Sequence, residues 1–107
     1  MAFHGDNGLR AWCNFKGNGT HSFRDSYNFA SYTDYANGRY RFHFSTNLPS
    51  NNFCAVATAT YLIGTTRRHR IVSVYRFNTS YVEVVSGYND TTAQDHEVIS
   101  VMCADSI

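Results

Sequence analysis

From Arg39 to Phe44 the chain reads RYRFHF, a run in which every second side chain is a large ring and every other one is cationic or titratable. An extended strand sorts such a run cleanly, because successive side chains point to opposite faces, whereas a helix would scatter the rings around its axis. Tyr40, Phe42 and Phe44 then make a dry face, and Arg39, Arg41 and His43 a wet one. Asn37-Gly38 immediately before the run tolerates positive φ and predicts a hairpin with the preceding strand. Burying each ring is worth roughly 1.5–3 kcal/mol, so this segment should anchor a core. A base-stacking platform needs rings turned outward. The wet face is therefore read as a subunit contact through Arg39, Arg41 and His43, not as a nucleic-acid surface.

The remaining chain repeats the theme. Arg10 to Lys16 predicts a strand with Ala11, Cys13 and Phe15 on one face and Trp12 on the other, ending at Gly17-Asn18-Gly19. Ser22 to Arg24 and Asn28 to Thr33 read as two short pieces with a break at Asp25-Ser26, where small polar side chains can bond their own backbone. Phe53 to Thr60 alternates small residues on both faces and reads as a central, doubly covered strand. Ile71 to Phe77 and Thr79 to Ser86 form a hairpin about Asn78, and Glu97 to Ala104 closes the chain as an apolar strand. Gly64 to Arg70 and Tyr88 to Asp95 read as exposed loops. Eight Tyr and eight Phe with one Pro suit a pleated surface. The expectation is an all-β domain, an antiparallel β-sandwich of about seven short strands. It occupies residues 10–107, and residues 1–9 form a lead-in or docking segment.

A net charge of +1 gives no broad field to draw the protein onto phosphate backbones. No apolar run approaches the roughly 20 residues a membrane helix needs, and residues 1–10 lack the apolar core of a signal peptide. Cys13, Cys54 and Cys103 are widely spaced and sit in apolar strand patterns, so buried free thiols are expected. No motif places two His, or a close Cys pair, at metal-ligand spacing, and no Gly-rich loop leads into a helix, so no metal, cofactor or catalytic residue is assigned. Asp95-His96-Glu97 reads as a solvated loop edge. The sharpest charged feature is Arg67-Arg68-His69-Arg70, whose guanidiniums bind phosphate, sulfate or carboxylate in bidentate fashion and could hold an acidic glycan or a nucleic acid, against the plainer reading of a solvated loop or an ion-pair contact between subunits. With Tyr61 on one side, and with Tyr88, Asn89 and Asp90 in the second loop, Arg67, Arg68 and His69 form the candidate ligand-binding set.

The order of residues adds a resemblance. Ala11-Trp12-x-x-Phe15-x-Gly17-x-Gly19-Thr20, Arg24-Asp25-Ser26-Tyr27-Asn28, Ser31-x-Thr33-Asp34, Gly38-x-Tyr40-x-Phe42-x-Phe44 and Leu48-Pro49-x-x-Asn52-Phe53 resemble a pattern of bacteriophage tail-fibre and tail-tip domains. The likeness spans Arg10 to Ala104 and is specific through Phe53. It implies a homotrimeric β-sandwich of the virion, made without a signal peptide, that contacts other virion proteins and binds host-surface glycan without acting on it as an enzyme. The alternative is a stand-alone capsid-decorating or tail-accessory protein. Cys13 stands where the pattern often has Val, and Arg41 and His43 stand where it has small or polar residues. These departures bear on the trimer contact and not on the fold.

Overall fold

The computed structural model describes residues 8–63, 66–69, 71–89, 92–93 and 96–105. It is all-β. Among the described residues there are ten strands: β1 (Gly8–Lys16), β2 (Ser22–Tyr27), β3 (Phe29–Ala36), β4 (Arg39–Phe44), β5 (Cys54–Ile63), β6 (Thr66–His69), β7 (Ile71–Phe77), β8 (Tyr81–Asn89), β9 (Thr92–Ala93) and β10 (Val98–Asp105). They pair antiparallel into two sheets, one ordered β2-β1-β10-β5-β6 and the other β3-β4-β8-β7, with β9 added to β8. The two sheets share one apolar core, an arrangement compatible with a β-sandwich. No helix among the described residues is long and apolar enough to cross a membrane.

The core follows from period-two alternation. Ala11, Cys13 and Phe15 of β1 are buried, as are Tyr40, Phe42 and Phe44 of β4, Val82 and Val84 of β8, and Ile99, Val101 and Cys103 of β10. Phe15 lies at the centre, with ring centroids 4.8 Å from Tyr32, 5.1 Å from Tyr40 and 5.0 Å from Phe42, all edge-on. Such T-shaped contacts match the positive edge of one ring to the negative face of another. Phe15 belongs to the first sheet and these partners to the second, so the rings join the layers.

Two corrections to the expected strands have local causes. The break expected at Asp25-Ser26 falls instead at Asn28, while the irregularity near Asp25 is a bulge: Asn14 pairs with Asp25 and Phe15 with Phe23, leaving Arg24 as the extra residue. The bulge aims the Arg24 guanidinium at Asn14 Oδ1 (3.2 Å) and at the Glu97 carbonyl (3.0 Å). Asn28 then carries the chain from one sheet to the other at φ 59°, the single positive φ among described non-glycine residues. Its Nδ2 donates to the carbonyls of Arg10 (3.0 Å) and Thr46 (3.1 Å), and its Oδ1 accepts from the Thr46 N–H (2.8 Å). Asparagine suits this corner because it tolerates the left-handed region and bonds locally. Asn28→Ala should cost about 1–2 kcal/mol, and Asn28→Gly less, since glycine loses the same bonds but relieves the backbone. Denaturant melts of the two variants check that order.

The expected double cover of β5 is also corrected. Ala55 and Ala57 turn inward, while Cys54, Val56 and Thr58 face solvent, Val56 at 58% exposure. Cys54 is therefore an exposed thiol, whereas Cys13 and Cys103 are buried. Burial pushes both inner thiols up to about 12, which keeps them protonated and unreactive near neutral pH.

Candidate functional site

The wet face of β4 gathers cations, a carboxylate and aromatic rings. Pairing of β4 with β8 sets Arg41 opposite Glu83 and His43 opposite Tyr81. Glu83 stands between Val82 and Val84 in β8 and its side chain is fully buried. Arg39 Nη2 donates to Glu83 Oε2 at 2.6 Å, and Arg41 Nε donates to Oε1 at 2.6 Å. A third guanidinium, Arg76, lies 3.7 Å from Oε1. Arg76 reaches this face beside Tyr75 because of a bulge in β7, where Val74 pairs with Val84 and Arg76 with Glu83. The irregularity doubles the outward side chains at that point.

Tyrosine rings hold the guanidiniums from their flat faces. Arg39 lies 4.9 Å from the Tyr35 centroid and 4.7 Å from Tyr75, and Arg41 lies 4.7 Å from Tyr35 and 4.6 Å from Tyr81. Cation–π contacts of this kind orient the planar groups as well as attract them. His43 Nε2 bonds Thr33 Oγ1 at 2.7 Å, and its ring stands edge-on to Tyr81. Tyr35 and Tyr75 remain 52% and 53% exposed, so their rings meet solvent. Three guanidiniums around one carboxylate leave the face cationic.

Burial on its own pushes the Glu83 carboxyl up, but the hydrogen bonds and charges of Arg39 and Arg41 outweigh it and hold the group below the ordinary value. The same bonds raise both arginines. A lowered carboxyl favours the folded state above its unfolded value of about 4.3, and that contribution disappears as pH falls through the lower folded value. Glu83→Gln should therefore lower the neutral-pH Tm by roughly 4–8 °C, an effect on the order of 1 kcal/mol, and the difference from wild type should shrink below about pH 4. Paired thermal melts between pH 7 and pH 2 measure it.

The structure brings Arg39, Arg41 and His43 onto one face, as the alternation implies, and adds a carboxylate, three rings and a further cation that the sequence alone does not point to: Glu83, Tyr35, Tyr75, Tyr81 and Arg76. A glutamate inside the run Val82-Glu83-Val84 was the available signal. The other expected set is placed differently. Arg67, Arg68 and His69 lie in strand β6 and not in a loop, with Leu62 opposite Arg67, Tyr61 opposite Arg68 and Thr60 opposite His69. Tyr88 and Asn89 end β8, where Asn89 pairs with Thr92, again a strand pairing in place of a loop. Asp90 lies outside the described residues.

The solvated loop edge expected at His96 is corrected as well. His96 is fully buried, with Nδ1 3.0 Å from Ser86 Oγ and its carbonyl accepting the Gly17 N–H at 3.0 Å. It is carried under the connecting segment because Gly17, lacking a side chain, lets the two backbones meet. Asp95 lies outside the described residues. A polar hollow of about 470 Å³ opens at the other end of the fold, lined by Arg10, Tyr27, Asn28, Ser45, Thr46 and Asn47 among others. Among the described residues no three His, Cys, Asp or Glu side chains group as a metal site. Comparison with family models, curated proteins and solved structures returns no match.

Proposed function

We propose that this protein is a virion component of the bacteriophage tail-fibre type that recognises acidic glycan on a host surface through the outer face of β3, β4, β8 and β7. The phage setting rests on the sequence resemblance. The recognition surface rests on one observation: three guanidiniums and two exposed tyrosines are fixed on a sheet around a buried carboxylate. Rigid placement lowers the entropy cost of binding, and a ring beside a cation fits a sugar that carries both a flat apolar face and a carboxylate or sulfate. Arg76, 53% exposed in its side chain, is the guanidinium least committed to Glu83 and the natural contact for the anion. Recognition thereby moves from Tyr61, Arg67 and Arg68 to the sheet face of Arg39, Arg41 and His43, in place of the subunit contact expected there, and no reaction is assigned.

Binding to an acidic polysaccharide such as polysialic acid or heparin, measured against neutral dextran at low and high salt, tests the proposal. Acidic chains should bind more tightly, and salt should weaken them, because screening removes the charge contribution. Tyr75→Ala with Arg76→Ala should lower that affinity about tenfold, on the order of 1.4 kcal/mol, with the circular dichroism spectrum retained. Equal binding of acidic and neutral polysaccharide, or no loss in the double variant, removes the reading.

The alternative of a capsid-decorating or tail-accessory protein draws on a separate observation, an exposed apolar row on the opposite sheet. That row has consequences of its own.

A further inference from the structure

The outer face of the first sheet carries a line of apolar side chains straight across four strands. Register sets Tyr27 opposite Trp12, Trp12 opposite Met102, and Met102 opposite Val56. Tyr27 is 55% exposed, Met102 48% and Val56 58%, and Trp12 is half-buried. A shallow hollow of about 380 Å³ opens beside Trp12 and Met102. Aromatic residues and Met are enriched at protein interfaces, and contiguous apolar patches of this kind mark contact sites.

We infer that this row is the contact between two copies of the chain, packed face to face about a two-fold axis that runs along the strands between β1 and β10. That axis exchanges β1 with β10 and β2 with β5. Trp12 of each copy then meets Met102 of the other, a sulfur–aromatic pair, and Tyr27 meets Val56. The next row obeys the same operation: Asn14 is in register with Asp25 and with Ser100, and Ser100 with Thr58. Asp25 is thereby set against Thr58, and Asn14 against Ser100, so no like charges meet. The face is self-complementary in polarity as well as in its apolar row.

Area agrees. Four strands spaced about 4.8 Å apart and about eight residues long present roughly 500 Å² per copy, hence about 1,000 Å² in a pair. That reaches the roughly 1,000 Å² floor for a specific interface. Facing sheets pack about 10 Å apart, within the reach of these side chains. The pairing is independent of glycan recognition, which uses the other sheet, and it stands in place of the trimer that the resemblance implies.

Sedimentation equilibrium of the full chain from micromolar to hundreds of micromolar tests it. A monomer–dimer equilibrium is expected, and Val56→Arg with Met102→Lys should weaken it at least about tenfold, equal to 1.4 kcal/mol. Both positions are exposed, so the monomer's circular dichroism should be unchanged, while Tyr75→Ala on the other sheet should leave association intact. The chain has a single tryptophan, Trp12, at the centre of the row. Its emission should shift to the blue with concentration in the wild type and stay fixed in the double variant. Monomer throughout, a three-copy mass, or association indifferent to the double variant would each overturn the inference.

Discussion

Phe15→Ala should destabilise the fold by about 3–5 kcal/mol, enough to leave a typical domain largely unfolded on modest heating. Phe15 is fully buried and touches rings from both sheets, with Phe23 at 5.4 Å in addition to Tyr32, Tyr40 and Phe42. Truncation opens a cavity whose walls cannot collapse, because each neighbouring ring is tied to its own strand. Tyr32 donates its hydroxyl to the His21 carbonyl, and Tyr40 donates its hydroxyl to the Gly17 carbonyl. Tyr27→Ala, at an exposed position of the same sheet, should change the monomer's stability by no more than about 0.5 kcal/mol. Urea melts of the two variants at low protein concentration measure the contrast; similar midpoints would mean that the Phe15 ring is not enclosed.

Gly17→Ala should be the next most damaging change, costing about 3 kcal/mol or more. An added Cβ would sit 2.6 Å from the His96 carbonyl oxygen, 3.1 Å from Ile99 Cδ1 and 3.3 Å from the Tyr40 hydroxyl. Overpacking costs about 1–3 kcal/mol where side chains can yield. Here the closest atom is backbone, and moving it breaks the bond from the Gly17 N–H to that same oxygen at 3.0 Å. The Gly17 carbonyl is held from the other side by the Tyr40 hydroxyl at 2.7 Å. Gly19→Ala separates sterics from conformation: nothing lies within 4 Å of its added Cβ, but its φ of +60° should cost about 1 kcal/mol. Thermal melts giving Gly19→Ala the larger loss would contradict the close approach at Gly17.

Much of the strand pattern was legible, because alternation is local. The faces of β1 and β4, the hairpin about Asn78 and the apolar last strand all follow from side chains two residues apart on one face. The Gly38 turn followed from residue type, and glycine takes φ +73° there. What failed was equally specific. By sequence Thr66–His69 reads as a loop because basic residues look solvated, yet pairing with β5 satisfies its backbone and makes a strand. By sequence His96 reads as solvated because its neighbours are charged, but its burial depends on Gly17, far away in sequence.

The candidate site divides along the same line. Its cations were visible as the wet half of RYRFHF. Their partner was not, because Glu83 lies over forty residues from both arginines, and nothing in either segment specifies the β4–β8 pairing. The apolar row was hidden for a related reason: Tyr27, Trp12, Met102 and Val56 each look like an ordinary member of its own strand, and only the register of four strands lines them up.

By itself the sequence determined that the chain forms strands, which side of most strands is dry, and where several turns fall, since each depends on the steric and solvation preferences of near neighbours. Only the tertiary structure decided which strands adjoin, and with that the pairing of Arg39 and Arg41 with Glu83, the clasp of Gly17 by His96 and Tyr40, and the line of exposed apolar side chains. Sheet register is a nonlocal choice, settled by how the whole core packs, and a surface composed across several strands has no existence before that choice is made.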